Sequence, residues 1–263
     1  MKNFIIILAV LAQLVSSCTK KTLDEDLQTP VVENPPADNN GTILSKEIRK
    51  IYTNGIITNT YTYNYIYENN LLSKITFLSA SDNSVGNFSY VYLNGKTIEE
   101  NYESIPNTFS FKSNFTYNGL LIASSTGMSS YVGSNNNVVN STYSTTYTYN
   151  INNRLINATE YRNGVPNSET TYEYYTNGNK SKMIRTTITN STTTNYESYD
   201  NKVNPYFTSL TPATLALNTI STNNCTQRGT TTYEYAYNTS NLPVKVTQKE
   251  AGAIKEVSTY QYY

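Results

Sequence analysis

Histidine and tryptophan are absent from this 263-residue chain, and cysteine occurs only twice. Without an imidazole there is no commonplace general base and no commonplace metal ligand. Ser-His-Asp and Cys-His triads are therefore excluded, as are zinc sites built on histidine, which one spare cysteine cannot replace. Charge is also sparse, at 14% of residues, and balanced at 19 Lys+Arg against 19 Asp+Glu. A near-neutral surface offers no electrostatic footprint for nucleic acid. No cofactor or metal motif is found, and no residue is assigned as catalytic. Beyond residue 42, aspartate is confined to Asp82 and Asp200, each beside an asparagine. A carboxylate pair of the glycosidase kind is the one enzymatic device left, and Glu99, Glu100 and Glu103 form the densest acidic cluster. On a strand Glu99 and Glu103 face one side and Glu100 the other, which reads as a solvated edge.

A single long apolar run exists, Phe4 to Ala12, preceded by Lys2. It is shorter than the roughly 20 residues needed to span a bilayer, and with its positive flank it reads as a signal peptide over residues 1–17. Leu14-Val15-Ser16-Ser17-Cys18 resembles a bacterial lipobox, an apolar residue and two small ones ahead of the cysteine that receives diacylglycerol. Cys18 is thus expected to be the lipidated first residue of the mature chain, holding it to a membrane at about 0.8 kcal/mol per buried CH₂. Residues 18–42 follow as a flexible tether, with Lys20-Lys21, the triplet Asp24-Glu25-Asp26 and Pro35-Pro36. An acylated Cys18 leaves Cys225 without a partner, so the domain holds no internal disulfide. Cys225 reads as an inert, buried thiol rather than a reactive one or an intermolecular link.

What the chain has in quantity is tyrosine, at 26 copies, with roughly 40 threonines and nearly as many asparagines. Tyr and Thr favour pleated surfaces, and Asn favours turns. Aromatic-x-aromatic pairs recur at Tyr65-x-Tyr67, Tyr90-x-Tyr92, Phe115-x-Tyr117, Tyr147-x-Tyr149, Tyr172-x-Tyr174, Tyr233-x-Tyr235 and Tyr260-x-Tyr262. The spacing is about 25 residues, with an insertion near 126–137, which is an internal repeat. Asn54-Gly55, Asn94-Gly95, Asn118-Gly119, Asn163-Gly164 and Asn177-Gly178 supply hairpin turns, and Asn-rich stretches replace them at 69–70, 150–153 and 238–241. Each repeat is one β-hairpin. The expected fold of residues 43–263 is all-β: an antiparallel meander of about 15 to 17 strands, coiled or closed, with no helical domain.

Tyr147-Thr-Tyr149-Asn-Ile-Asn-Asn153-Arg154-Leu155 resembles the YD (Rhs-type) repeat, Tyr-x-Tyr-Asp followed by a turn and Arg-Leu, with Asn in place of Asp and of the turn glycine. Tyr65–Leu72 and Phe115–Leu121 are weaker copies. The stretch Tyr199-Asp200-Asn201-Lys202-Val203-Asn204-Pro205-Tyr206 resembles one that recurs in uncharacterised lipoproteins of the Bacteroidota with this hairpin layout. The resemblance implies architecture, a long sheet that coils or closes, and no activity. It also implies an outer-membrane lipoprotein, without deciding between periplasm and cell surface.

Within strands the period is two, clearest at Tyr61, Tyr63, Tyr65 and Tyr67 and again at Tyr233, Tyr235 and Tyr237. Tyr fills one face, while Thr, Asn, Glu and Ala fill the other. A transmembrane barrel needs an apolar outer band with aromatics gathered into girdles, and this patterning lacks both. The stripe stabilises the sheet by cross-strand pairing; those seven tyrosines are also the candidate binding surface, for a glycan or an envelope protein. Period-breaking segments at 79–87, 126–137 and 200–226 are expected to gather on a binding face. The expected function is a membrane-anchored, non-enzymatic binding or scaffold lipoprotein. A carboxylate enzyme acting on polysaccharide and a purely structural envelope protein are the alternatives.

Overall fold

The computed structural model describes residues 41–105, 108–133, 136–209, 217 and 220–263. Cys18 and all but the last residues of the expected tether lie outside them. The first eight strands are β1 (Leu44–Thr53), β2 (Ile56–Glu68), β3 (Leu71–Ser79), β4 (Val85–Leu93), β5 (Lys96–Ile105), β6 (Phe109–Asn118), β7 (Leu121–Val132) and β8 (Val138–Tyr149). After them come β9 (Leu155–Arg162), β10 (Val165–Tyr174), β11 (Lys180–Thr187) and β12 (Ser191–Val203), then a single helical turn, α1 (Pro205–Ser209). The chain finishes with β13 (Asn223–Arg228), β14 (Thr231–Tyr237), β15 (Pro243–Glu250) and β16 (Ala253–Tyr262). Every strand pairs antiparallel with its neighbours in sequence, and β1 pairs with β16, so the meander closes into a barrel. The 16 strands fall within the expected count.

Local chemistry explains the hairpins. Asn54-Gly55, Asn94-Gly95 and Asn163-Gly164 each place two consecutive residues at positive φ, between 50° and 78°, as the two-residue hairpin requires. Asn69-Asn70 does the same at 51° and 62° without glycine. The turns after even-numbered strands, together with Gly41 and Tyr263, form one rim of the barrel, here the proximal rim; the turns after odd-numbered strands form the distal rim.

One backbone device recurs at the proximal rim. The second tyrosine of each pair lies opposite a residue just past the turn, and the register slips by one immediately beyond it: Tyr67 opposite Leu72, Tyr92 opposite Thr97, Tyr117 opposite Ile122, Tyr149 opposite Leu155, Tyr174 opposite Lys180. A bulge of this kind leaves one residue outside the hydrogen-bonded ladder, and its neighbouring carbonyl then needs another donor. The tyrosine of the next hairpin supplies it. Tyr67, Tyr92, Tyr117, Tyr149, Tyr174, Tyr199 and Tyr262 donate their hydroxyls to the carbonyls of Leu44, Leu72, Thr97, Ile122, Leu155, Lys180 and Pro243 at 2.6–3.2 Å. These latches bind each hairpin to the one before it.

Three expectations are corrected. The segment 126–137 is no loop, because the insertion lengthens β7 and β8 to 12 residues each, Leu121–Val132 and Val138–Tyr149. The segment 79–87 shrinks to a turn between Ser79 and Val85. The third, 200–226, narrows to the connection 204–222. The first two lie at the distal rim and the third at the proximal rim, so they share no face.

Removing one latch hydroxyl leaves a buried carbonyl without its donor. Tyr92→Phe is expected to lower the unfolding free energy by about 1–3 kcal/mol, whereas Tyr161→Phe on the outer face changes it by under about 0.5 kcal/mol. Urea midpoints at unchanged slope decide between the two.

Candidate functional site

The tyrosine face is the inside of the barrel. Tyr63 and Tyr65 are 6% and 4% exposed and belong to a core with Leu44, Leu72, Ile75, Phe88, Tyr90, Phe111, Val246 and Tyr260, against which Tyr61, Tyr67, Tyr233 and Tyr235 pack. Tyr237 lies on the same inward row of β14 and stacks on Tyr235, with ring centroids 6.0 Å apart. The seven tyrosines of the candidate surface therefore line the lumen, and none forms an outward platform. Outside, polar residues pair across neighbouring strands: Thr116 with Ser124 at 2.7 Å, Ser130 with Asn140 at 2.8 Å, Lys182 with Glu173 at 3.2 Å, Lys249 with Glu234 at 2.6 Å.

Charge inside the barrel escaped the sequence reading. Glu47 is 1% exposed and accepts from the Arg49 guanidinium at 2.8 Å, from the Tyr65 hydroxyl at 3.3 Å and from the Tyr206 hydroxyl at 2.9 Å. Arg49 also reaches Glu256 at 3.4 Å. Tyr206 arrives from α1, between β12 and β13 and four strands round the barrel from β1, and packs edge-on against Tyr260 at 6.1 Å. The α1 turn thus carries the Tyr206 ring inward at the proximal mouth.

The stretch Tyr199–Tyr206 builds that inward turn. Tyr199 latches to Lys180, and Asp200 accepts from the Tyr237 hydroxyl and from the Asn224 side chain at 3.2 Å. Lys202 donates to Asn241 at 2.7 Å, and Asn204 accepts from the Tyr206 amide at 3.0 Å. Asp200 replaces a backbone carbonyl as the partner of Tyr237, so the latch series is interrupted where the long connection leaves the wall.

Elsewhere in the lumen Glu160 receives Arg162 and Arg185, each at 3.8 Å. Glu100 lies between Tyr90 and Ser113 on the neighbouring strands and, among the described residues, has no cation within ion-pair distance. Burial pushes its carboxyl up to about 7. Its reading as a solvated edge is corrected on two counts: a closed barrel has no edge, and Glu100 shares its face with Tyr102. Glu99 stays outside, paired with Lys112 and Asn101. The two-residue alternation through Tyr102 was the signal that would have placed Glu100 inside.

Lys180 and Arg228 form a second group, on Tyr172, Tyr196 and Tyr233. The Lys180 ammonium is 5.3 Å and 5.2 Å from the ring centres of Tyr172 and Tyr196, and the Arg228 guanidinium 5.7 Å from that of Tyr233. Burial, then the neighbouring Arg228, lower Lys180 to about 8. Cys225 is half-buried, its Sγ 3.1 Å from the Gln227 carbonyl, and burial pushes the thiol up to about 11. Among the described residues no group of three or more potential ligands is placed to hold a metal ion.

No protein-family model matches the chain, and no curated protein matches it either. Solved structures do. A porin-like protein from Bacteroides uniformis superposes with a TM-score of 0.54 at 15% identity, over 84% of this chain and 98% of that one. A porin-like protein from Bacteroides vulgatus matches over 84% of this chain and 99% of that one, at 12% identity and a TM-score of 0.40. At such identity the first likeness is one of fold, and it bears out the all-β antiparallel meander.

Because the folded state holds the Glu100 proton up to about 7 against an ordinary 4.5, the stability this carboxyl contributes is full below about pH 4.5 and is lost as pH rises through about 7. Glu100→Gln is expected to match the parent near pH 4 and to exceed it by about 1–3 kcal/mol near pH 8. Denaturant titrations across that range measure the gap; equal stability at both ends would refute the burial account.

Proposed function

We propose that this protein is a lipid-tethered barrel of the bacterial cell envelope that stands in water and serves as a binding or scaffold module. The observation that carries the reading is the sidedness of the wall. Threonine, asparagine, serine and paired Lys and Glu face outward along the strands, and aromatic rings face inward. A barrel that crosses a bilayer carries the opposite arrangement, an apolar band outside and a polar lumen. A porin-like fold built with its greasy face inward is suited to an aqueous compartment, where burying the rings stabilises it.

The lipobox at Cys18 supports the anchor. The described chain begins at Gly41 and enters the wall at Leu44 on the proximal rim, so a tether from Cys18 leaves that rim toward the membrane and the distal rim away from it. The hairpin repeat and the Tyr199–Tyr206 stretch agree with the resemblance to YD-type repeats and to Bacteroidota lipoproteins. The non-enzymatic part of the reading rests on how the interior carboxylates are placed: Glu47 and Glu256 both hold Arg49, Glu160 holds two arginines, Asp200 holds Tyr237, and Glu100, without a cation among the described residues, lies between Tyr90 and Ser113. None is left poised against a second free carboxyl, as glycoside hydrolysis requires.

Two measurements test this. Cys18→Ala is expected to move the full chain from the membrane to the aqueous fraction with its β-sheet circular dichroism intact, and the purified protein is expected to give no conductance in planar bilayers. Retention of the variant in membranes would remove the tether, and stepwise channel currents would make the barrel a pore.

A further inference from the structure

The repeat itself provides the comparison that singles out one residue. Seven hairpins offer an anchor carbonyl to a tyrosine, and six of those anchors are Leu44, Leu72, Thr97, Ile122, Leu155 and Pro243, none more than 2% exposed. The seventh is Lys180. A slot that elsewhere takes an uncharged, fully buried side chain here takes a cation, and Arg228 stands beside it, against the hydroxyl of the same Tyr196 whose ring lies under the Lys180 ammonium.

The pair has no counter-ion in contact: Glu256, on which Arg228 acts electrostatically, is paired with Arg49. Among the described residues no carboxylate lies within 4 Å of Lys180 or Arg228, whereas the other inward arginines of the strands, Arg49, Arg162 and Arg185, all have one. The acids nearby are engaged, Glu256 by Arg49 and Asp200 by Tyr237 and Asn224. Ser221 accepts the Lys180 backbone amide at 3.0 Å, and the sequence from 205 to 222 contains no Asp or Glu. Two like charges held among rings are costly to bury unless an anion joins them.

The wall is low at this place. β13 and β14 are six and seven residues long beside the 13 of β12, and β12 pairs with β13 only from Tyr196 onward. Arg228 is the last residue of β13, at the lip of this notch, and Gly229 and Thr230 beyond it are exposed. Arg228 therefore stands at the distal end of its strand, next to solvent-exposed backbone.

We propose that Lys180 and Arg228 form an oxyanion-binding site in the lumen, entered over the β13–β14 notch, that takes the carboxylate of an acidic saccharide or a free inorganic oxyanion. The site deepens the binding-module reading, resting on its water-facing barrel, and supplies that module with a ligand class. A planar guanidinium and an ammonium together suit a group with two or three equivalent oxygens. The tyrosines around them fix the two cations in place and supply hydroxyls at the margin.

The test uses the full chain carrying Cys18→Ala, with calorimetric titration and melting curves in glucuronate, inorganic phosphate and glucose, matched for ionic strength with chloride. Binding to the folded state alone raises the melting temperature with ligand concentration, so glucuronate or phosphate is expected to raise it and glucose is not. Lys180→Met and Arg228→Met are each expected to weaken binding at least about tenfold, and Arg228→Lys to retain most of it. Ligand-free Lys180→Met is expected to melt above the parent, because a buried like charge is gone. Tighter binding of glucuronate assigns the acidic sugar; a response to phosphate alone assigns the free anion. Melting and titration curves indistinguishable from chloride, or affinity unchanged in both Met variants, would overturn the site. A Cys18→Ala chain that stays with membranes would instead overturn the tether, and the same titration in detergent would still read the site.

Discussion

The structure depends on one contact repeated around its rim, a tyrosine hydroxyl donated to a backbone carbonyl that a bulge has freed. A barrel of 16 strands without a disulfide must specify closure through local contacts, because loop-closure entropy penalises each distant pairing. The latch makes closure local. Each hairpin fixes itself to the one before by one hydrogen bond and one buried ring, and the bulge turns the wall by a constant increment, since bulges increase twist and bend the strand. Repeated along the chain, the bend brings β16 back to β1, where Tyr262 latches to Pro243 and Tyr67 to Leu44 on either side of the seam. Tyr263 crosses the seam, donating to the Tyr65 carbonyl at 2.8 Å.

Much of this is legible in the residue string and some is not. The period of about 25 residues, the Asn-Gly turns and the two-residue alternation of Tyr are local signals, and local signals set strand number, turn position and facing. Closure is not local. It depends on the accumulated bend from bulges at Ser73, Ile98 and Ala123 and their counterparts, none of which carries a residue signature. The inward charges were missed for a related reason. Glu47, Arg49 and Glu100 each alternate correctly with inward neighbours, but a charged side chain on a strand is ordinarily solvated, and the expectation outweighed the register. Ala251, at a φ of 48° before Gly252, shows the same limit: the β15–β16 turn forces a left-handed residue that its sequence does not advertise.

The Tyr199–Tyr206 stretch joins the two levels. As sequence it stands out because it breaks the repeat, and in the fold it sends Tyr206 inward to Glu47, a residue 159 positions away. An inward turn of this kind must satisfy its own polar groups as it enters. Asp200 does so at the gap in the latch series, accepting from Tyr237 as backbone carbonyls do elsewhere and from the Asn224 amide, while Asn204 accepts from the Tyr206 amide. The buried Glu47–Arg49–Glu256 group is then the point on which wall and turn agree. A fully hydrogen-bonded ion group of this sort adds little net stability over an apolar core, yet removing one member leaves an uncompensated charge. Its contribution is to fix where the Tyr206 ring sits at the mouth.

Sidedness determines where function can reside. On an outer wall rich in small polar pairs, exposed apolar residues occur at the turns, such as Ile56, Leu120 and Ile151, and singly along the strands, as at Val91 and Met128. Scattered exposed apolar residues are ordinary on soluble proteins and do not make a docking face. Chemical individuality instead accumulates inside, where the repeat sets a uniform background of rings and uncharged anchors. Against that background a deviation is informative. Lys180 is such a deviation, it sits beside the lowest stretch of wall, and the sequence from 205 to 222 carries no acid. Arg49, Arg162 and Arg185 each have a carboxylate at their side; Lys180 and Arg228, with none in contact among the described residues, leave that place open to an anion that arrives from solution.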